Sequence, residues 1–294
     1  MKKIGLTILA TGIAFSSLPS LGFAELLPKQ EVSGESVSQT SDLESVRAFI
    51  YQSREDKLQI LQNLNPNTDS KEIDQLLEDY SDNHPLPQGA ENFTEQELFP
   101  EINFNEIDNN VTIDINKFIE EKLVSEPQNT FEFNKDDSRT LVYINEMGQT
   151  TISSFNISQE YNSSPLVKAA TKHKSGSNEM FIYNAVGKKM VRLWSSAIFD
   201  YNGKTVSASV PDGGIEKQTA GSTTTITNKA EGLVRKYSLD SGGKTYKYCE
   251  VYTRAYIEST VAFKYGNLLI KSGTFETYTG SNVDGSIFGG AVKK

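Results

Sequence analysis

The sequence predicts an α+β protein: a helical, partly disordered N-terminal region followed by an antiparallel β-sandwich-like domain. Three observations carry this expectation. Apolar residues recur at helical spacing through the first part of the chain, and from Thr140 onward the period changes to the alternation of strands. Charge divides the chain at nearly the same place. Residues 25–137 hold 26 acidic and 8 basic side chains and residues 138–294 hold 12 and 19, which with Lys2 and Lys3 makes the net charge of −9. Turn dipeptides then punctuate runs rich in β-branched and aromatic residues, as in an all-β domain.

Taken in order, residues 1–24 read as a secretory signal peptide. Lys2 and Lys3 form the charged start, Ile4 to Phe15 the apolar run, and Gly22-Phe23-Ala24 the small-residue cleavage site after Ala24. The apolar run is too short to span a bilayer, which takes about 20 residues, so no transmembrane segment is expected in the mature chain. Residues 25–137 form the acidic, helix-leaning region, with 25–40 polar and Ser-rich. Ser41 to Glu44, Asp69 to Glu72 and Thr94 to Glu97 fit capping boxes. Leu43, Val46 and Ile50, continued by Leu58 and Leu61, then Ile73, Leu76, Leu77 and Tyr80, then Ile115, Phe118, Ile119 and Leu123 form the expected buried stripes. These short helices bury little surface alone and need a partner to fold.

Thr140 to Ile144 and Thr150 to Phe155 predict a β-hairpin within 138–158. Residues 159–178 lose pattern and predict a linker, whose Lys168, Lys172 and Lys174 are candidate processing points. From Glu179 to the end the strand signal dominates, giving a basic β-sandwich-like domain over 179–294. Asn202-Gly203 fits a two-residue hairpin turn, Asp240 to Gly243 a longer loop, Gly266-Asn267 a second tight turn, and Asp284-Gly285 one more. In the run Lys244 to Tyr265, alternation puts Cys249, Val251, Thr253, Ala255 and Ile257 on a core face. Tyr246, Tyr248, Tyr252, Arg254 and Tyr256 share the opposite face with Glu250. That aromatic face is the candidate binding surface, and its alternative is cross-strand pairing that only stabilises a sheet. Cys249, the one Cys, is expected as a buried small hydrophobe.

No catalytic constellation is legible. His84 sits in a Pro-flanked acidic loop and His173 among lysines; either is a candidate general base, but neither has a catalytic partner nearby in sequence. Asp108, Asn110, Thr112 and Asp114 imitate the start of a calcium loop, but Ile113 replaces the required Gly and Ile119 the closing Glu, so no metal site is expected. Gly280 to Ser286 has phosphate-loop spacing without its Lys. No cofactor is expected, and charge alone supports no nucleic-acid partner.

The stretch Leu193-Trp194, followed by Ile198-Phe199-Asp200-Tyr201-Asn202-Gly203-Lys204-Thr205-Val206, resembles small secreted β-rich proteins of Gram-positive bacteria. The resemblance covers residues 180–294 and implies an extracellular, non-catalytic β domain. The expectation is therefore a secreted, extracellular binding or structural protein acting at the cell envelope. Its candidate partners are a cell-wall glycan or an extracellular protein, and its acidic and basic halves contact each other. The alternative is a secreted antibacterial or toxin-like protein whose acidic N-terminal half is an inhibitory pro-region. A glycan hydrolase ranks third.

Overall fold

The computed structural model describes residues 34–158, 161–162, 171–217, 224–241 and 244–294. The signal segment with Ala24 and the candidate processing point Lys168 lie outside the described residues. The chain is an α+β, mostly β fold. Among the described residues, α-helices α1 (Gly34–Gln62), α2 (Ser70–Asn83), α3 (Glu95–Leu98) and α4 (Ile115–Ser125) accompany strands β1 (Ile113–Asp114), β2 (Thr130–Lys135), β3 (Ser138–Ile144), β4 (Thr150–Ile157), β5 (Tyr161–Asn162), β6 (Lys172–Tyr183), β7 (Lys189–Tyr201), β8 (Val206–Lys217), β9 (Thr224–Ser241), β10 (Lys244–Tyr265), β11 (Leu268–Asn282) and β12 (Ile287–Lys293).

The caps at Asp69 and Thr94 form as the sequence predicts. Asp69 accepts the Glu72 backbone N–H at 3.0 Å, and Thr94 and Glu97 cap each other reciprocally. Asp114 caps α4. The expected cap at Ser41 does not: α1 starts at Gly34, so Ser41 lies inside it. Its later turns are anchored by buried Val46, Ile50, Leu58 and Leu61. Ser and Gln upstream cost little as helix residues, so the helix runs on through the polar stretch.

The strands form two antiparallel sheets. The first has the order β2-β3-β4-β6-β7-β8, with β5 paired to β6, and the second β1-β12-β11-β10-β9. They stack face to face and do not close into a barrel. Leu141, Met180, Val191 and Leu193 of the first sheet meet Ala255, Ile257, Phe263 and Phe275 of the second, and Ile115 and Ile119 of α4 join the same cluster. A second cluster between the sheets contains Phe199 and Tyr201 with Cys249 and Val251. The outer face of the first sheet carries its own cluster, in which Leu58, Leu61, Ile73 and Leu77 of α1 and α2 pack on Val142, Ile144, Ile152, Phe181 and Tyr183. The layers are thus helices, first sheet, second sheet.

Several expected boundaries move. β2 lies inside the acidic region and pairs with β3, so the hairpin expected at 138–158 is part of a larger sheet. Residues 172–178, expected as linker, are the first half of β6 and pair with β7 from Lys172↔Tyr201 onward. Lys172 and Lys174 therefore stand in a paired strand, where a protease cannot draw the chain into its cleft without breaking the ladder. Within the strand-rich region, Thr224–Ser241 is one long β9 interrupted by bulges against β10. The Asn202-Gly203 turn is a four-residue loop: Tyr201 pairs with Val206, and the Asn202 side chain accepts the Lys204 and Thr205 backbone N–H groups at 3.0 and 2.9 Å. That Asx geometry displaces the two-residue turn. At the expected longer loop, Ser241 pairs with Lys244, so only residues 242–243 connect the strands.

Candidate functional site

The helices cover only one end of the first sheet's outer face. Pairing registers give the rest of that face as a grid. The covered row is Val142, Ile152, Phe181 and Arg192. The next row is Thr140, Ser154, Glu179, Trp194 and Gly214, followed by Ser138, Asn156, Ser177, Ser196 and Asp212. Beyond it Ser175 pairs with Ile198, and His173 with Asp200. Beyond the helices small hydroxyl and amide side chains predominate, with Trp194 and Ile198 among them.

This uncovered area forms a groove. One depression of about 710 Å³ runs from the N-terminus of α2 and the β2–β3 turn across β4, β6 and β7. A second, of about 480 Å³, continues it towards Val210 and Asp212 of β8. The two share Asn156, Ser158, Ser177 and Ser196. Two exposed aliphatics, Ile198 and Val210, close the far end.

Trp194, the one Trp of the chain, is the aromatic element of the floor. A Cβ at Gly214 would lie 2.3 Å from its ring, so the indole rests on the bare β8 backbone and only glycine leaves it room. Arg192 stands beside it, with its guanidinium 4.7 Å from the indole ring and 5.4 Å from the Phe181 ring. Its two ends hold Glu179 at 3.0 Å and Glu216 at 3.2 Å. Burial pulls Arg192 down, but these two carboxylates outweigh it and hold the guanidinium above its ordinary value. Glu179 also accepts from the Ser70 hydroxyl at 2.9 Å, which fixes the first turn of α2 to the floor. On the rim, Lys135 reaches Asp69 at 2.8 Å. That bond, together with the Glu72 N–H, holds the Asp69 carboxyl below its usual range. A partly buried aromatic with fixed hydroxyls, amides and charges around it is suited to hold a polar, hydroxyl-bearing chain.

The expected tyrosine face is on the outer side of the second sheet, and its groups engage one another. Tyr248 stacks on Tyr237 at 5.2 Å and meets Phe288 edge-on at 5.8 Å. Tyr252 lies under Arg235 at 4.6 Å and beside Arg254 at 5.5 Å. Arg235 bonds Glu250 at 2.5 Å and Glu276 at 3.0 Å, and the Tyr237 hydroxyl donates to Glu250. Glu250 and Glu276 are only 3% and 1% exposed. Tyr256 is half-buried on the same face, and the Tyr246 side chain lies outside the described residues.

Cys249 is fully buried, and burial raises its thiol pKa. His84 stacks on Tyr80 at 4.3 Å. His173 does have an acidic partner: its Nδ1 lies 2.5 Å from Asp200 across the β6–β7 pair. Strand pairing over 27 residues brings them together, so no spacing rule could have found them. The groove residues were missed for the same reason. Residues 172–178 carry no apolar alternation, because inward Gly176 and Asn178 are no more apolar than the outward serines that line the groove. Among the described residues no cluster of three or more His, Cys, Asp or Glu side chains can hold a metal, and no helix is long and apolar enough to cross a membrane. Compared with protein families, curated proteins and solved structures, the chain matches none of them.

Proposed function

We propose that this is a secreted, non-catalytic binding protein that holds an extended, hydroxyl-rich glycan of the cell envelope in the groove of the first sheet. The carrying observation is the continuity of the two depressions along a floor of serines and asparagine next to Trp194. A linear polymer needs a trough rather than a closed cavity, and hydroxyl-rich ligands need many small donors and acceptors with an aromatic surface. The signal-like first 24 residues support an extracellular site of action. The pro-region alternative is the weaker reading, because the acidic half contributes to all three layers' packing.

The test is calorimetry with soluble cell-wall glycan fragments. Trp194→Ala is expected to weaken binding by about 2 kcal/mol or more, the usual cost of truncating an aromatic anchor, with the thermal transition retained. The tyrosine face supplies the contrast. Tyr252→Ala is expected to lower stability and leave binding unchanged. If Tyr252→Ala instead abolishes binding in a folded protein, the second sheet is the binding face.

A further inference from the structure

We propose that the groove selects glycans bearing free amines and turns away polyanions; this rests on the groove being the binding site. The charges that line it give the argument. Five carboxylates line the two depressions, against three cations. Two of those cations are neutralised within the wall: Lys135 lies 2.8 Å from Asp69, and Arg192 lies 3.0 Å from Glu179 and 3.2 Å from Glu216. Lys71 is left against Asp136, Asp137 and Asp212, all three exposed to solvent.

The positions of these carboxylates favour a chain lying along the trough. Asp136 and Asp137 form the β2–β3 turn at one rim, and Asp212 stands at the other end on β8. Asp136 has φ 51°, a left-handed conformation that Asp and Asn tolerate better than other non-glycine residues. A ligand lying across the row Ser138, Asn156, Ser177, Ser196 and Asp212, beside Trp194, passes carboxylates at both ends. A sugar amine carries one positive charge per unit and meets this field favourably, whereas a phosphate or uronate polymer meets like charge over its whole length. Exposed charges of this kind set discrimination between ligands more than total affinity. N-acetylation removes the charge and keeps the ring hydroxyls, so it isolates this contribution from the hydroxyl contacts.

The experiment uses the full mature chain and calorimetry at mildly acidic pH. The probes are a linear glucosamine oligomer, its N-acetylated counterpart and a uronic-acid polymer. The glucosamine oligomer is expected to bind about fivefold tighter than the N-acetylated one, as two exposed pairs of roughly 0.2–1 kcal/mol each would give. That preference should vanish at high salt and in Asp136→Asn/Asp137→Asn/Asp212→Asn, where Asn keeps the turn conformation and N-acetyl binding persists. The uronic-acid polymer should not bind. Equal affinity for the two oligomers, a preference that survives in the triple variant, or binding of the polyanion overturns the amine inference and leaves the groove standing. If neither oligomer binds, the groove reading itself fails and the inference falls with it.

Discussion

Lys57 sits on α1, fully buried and in no ion pair among the described residues, and donates to the Gly148 and Ala185 carbonyls at 2.6 and 2.7 Å. It thereby ties the helix to two hairpin turns of the first sheet. Burial, with Arg54 nearby, lowers its pKa to about 7. A lysine lowered in the folded state costs stability in full below that value, and the cost fades as pH rises towards the unfolded lysine's range. Stability is therefore expected to rise between pH 7 and pH 10 by on the order of 1–4 kcal/mol from this residue. The neutral amine still has two N–H groups for the two carbonyls. Denaturant unfolding across that range should show the rise in the wild type and lose it in Lys57→Met. A parallel slope in both proteins would mean that Lys57 stays charged. The caps at Asp69 and Thr94 were legible in the sequence because capping is local. Lys57 was not, since a lysine on an amphipathic helix reads as solvated until the turns that cover it are known.

Between the two apolar clusters of the sandwich runs a polar belt. Asn178 and Ser195 are paired on the first sheet, and Thr253 and Thr277 on the second, with Thr279 the next inward residue of β11. All five are fully buried. Among the described residues, Asn178 Oδ1, Ser195 Oγ, Thr277 Oγ1 and Thr279 Oγ1 have no hydrogen-bonding partner, whereas Thr253 accepts the Gly232 N–H at 3.1 Å. Unpartnered buried hydroxyls cost stability, and partnered ones cost when removed. Thr277→Val is therefore expected to stabilise by about 1 kcal/mol and Thr253→Val to destabilise by a similar amount. Chemical denaturation of the two variants checks this, and destabilisation by both would mean that ordered water satisfies Thr277. At this scale the sequence was legible where alternation is apolar against polar, as in β10, whose bounds and core face were read correctly. It failed at the start of β6, where inward Gly176 and Asn178 and outward serines leave no contrast to read.

For the molecule as a whole, the question is what holds its oppositely charged halves together. Among the described residues, ion pairs do join residues before 138 to residues after it: Arg139 with Glu120 and Glu132, Lys189 with Asp74 and Glu78, and Lys271 with Glu95. Exposed pairs contribute roughly 0.2–1 kcal/mol each and are screened by salt. The apolar contacts are larger. Leu58, Leu61, Ile73 and Leu77 bury against the first sheet, Val46, Ile50 and Phe99 against Met147, Val186 and Leu269, and Ile115 and Ile119 between the sheets. Each such side chain gains about 1.5–3 kcal/mol on burial, so packing outweighs charge in the association. The charge asymmetry was plain in the sequence, but the pairing β4–β6 was not, and it puts paired strands of the first sheet before residue 159 and from residue 172 onward. Cutting there divides one sheet. Two consequences follow for fragments co-expressed as residues 25–162 and 171–294. They should co-purify and stay associated in molar salt, as measured by sedimentation. Residues 171–294 alone should aggregate, because Phe181 and Tyr183 lose the helices that cover them and β6 loses β4. Dissociation of the pair by salt would restore charge as the main tie. A soluble, cooperatively folding 171–294 fragment would show that the C-terminal half can act on its own, as the pro-region alternative requires.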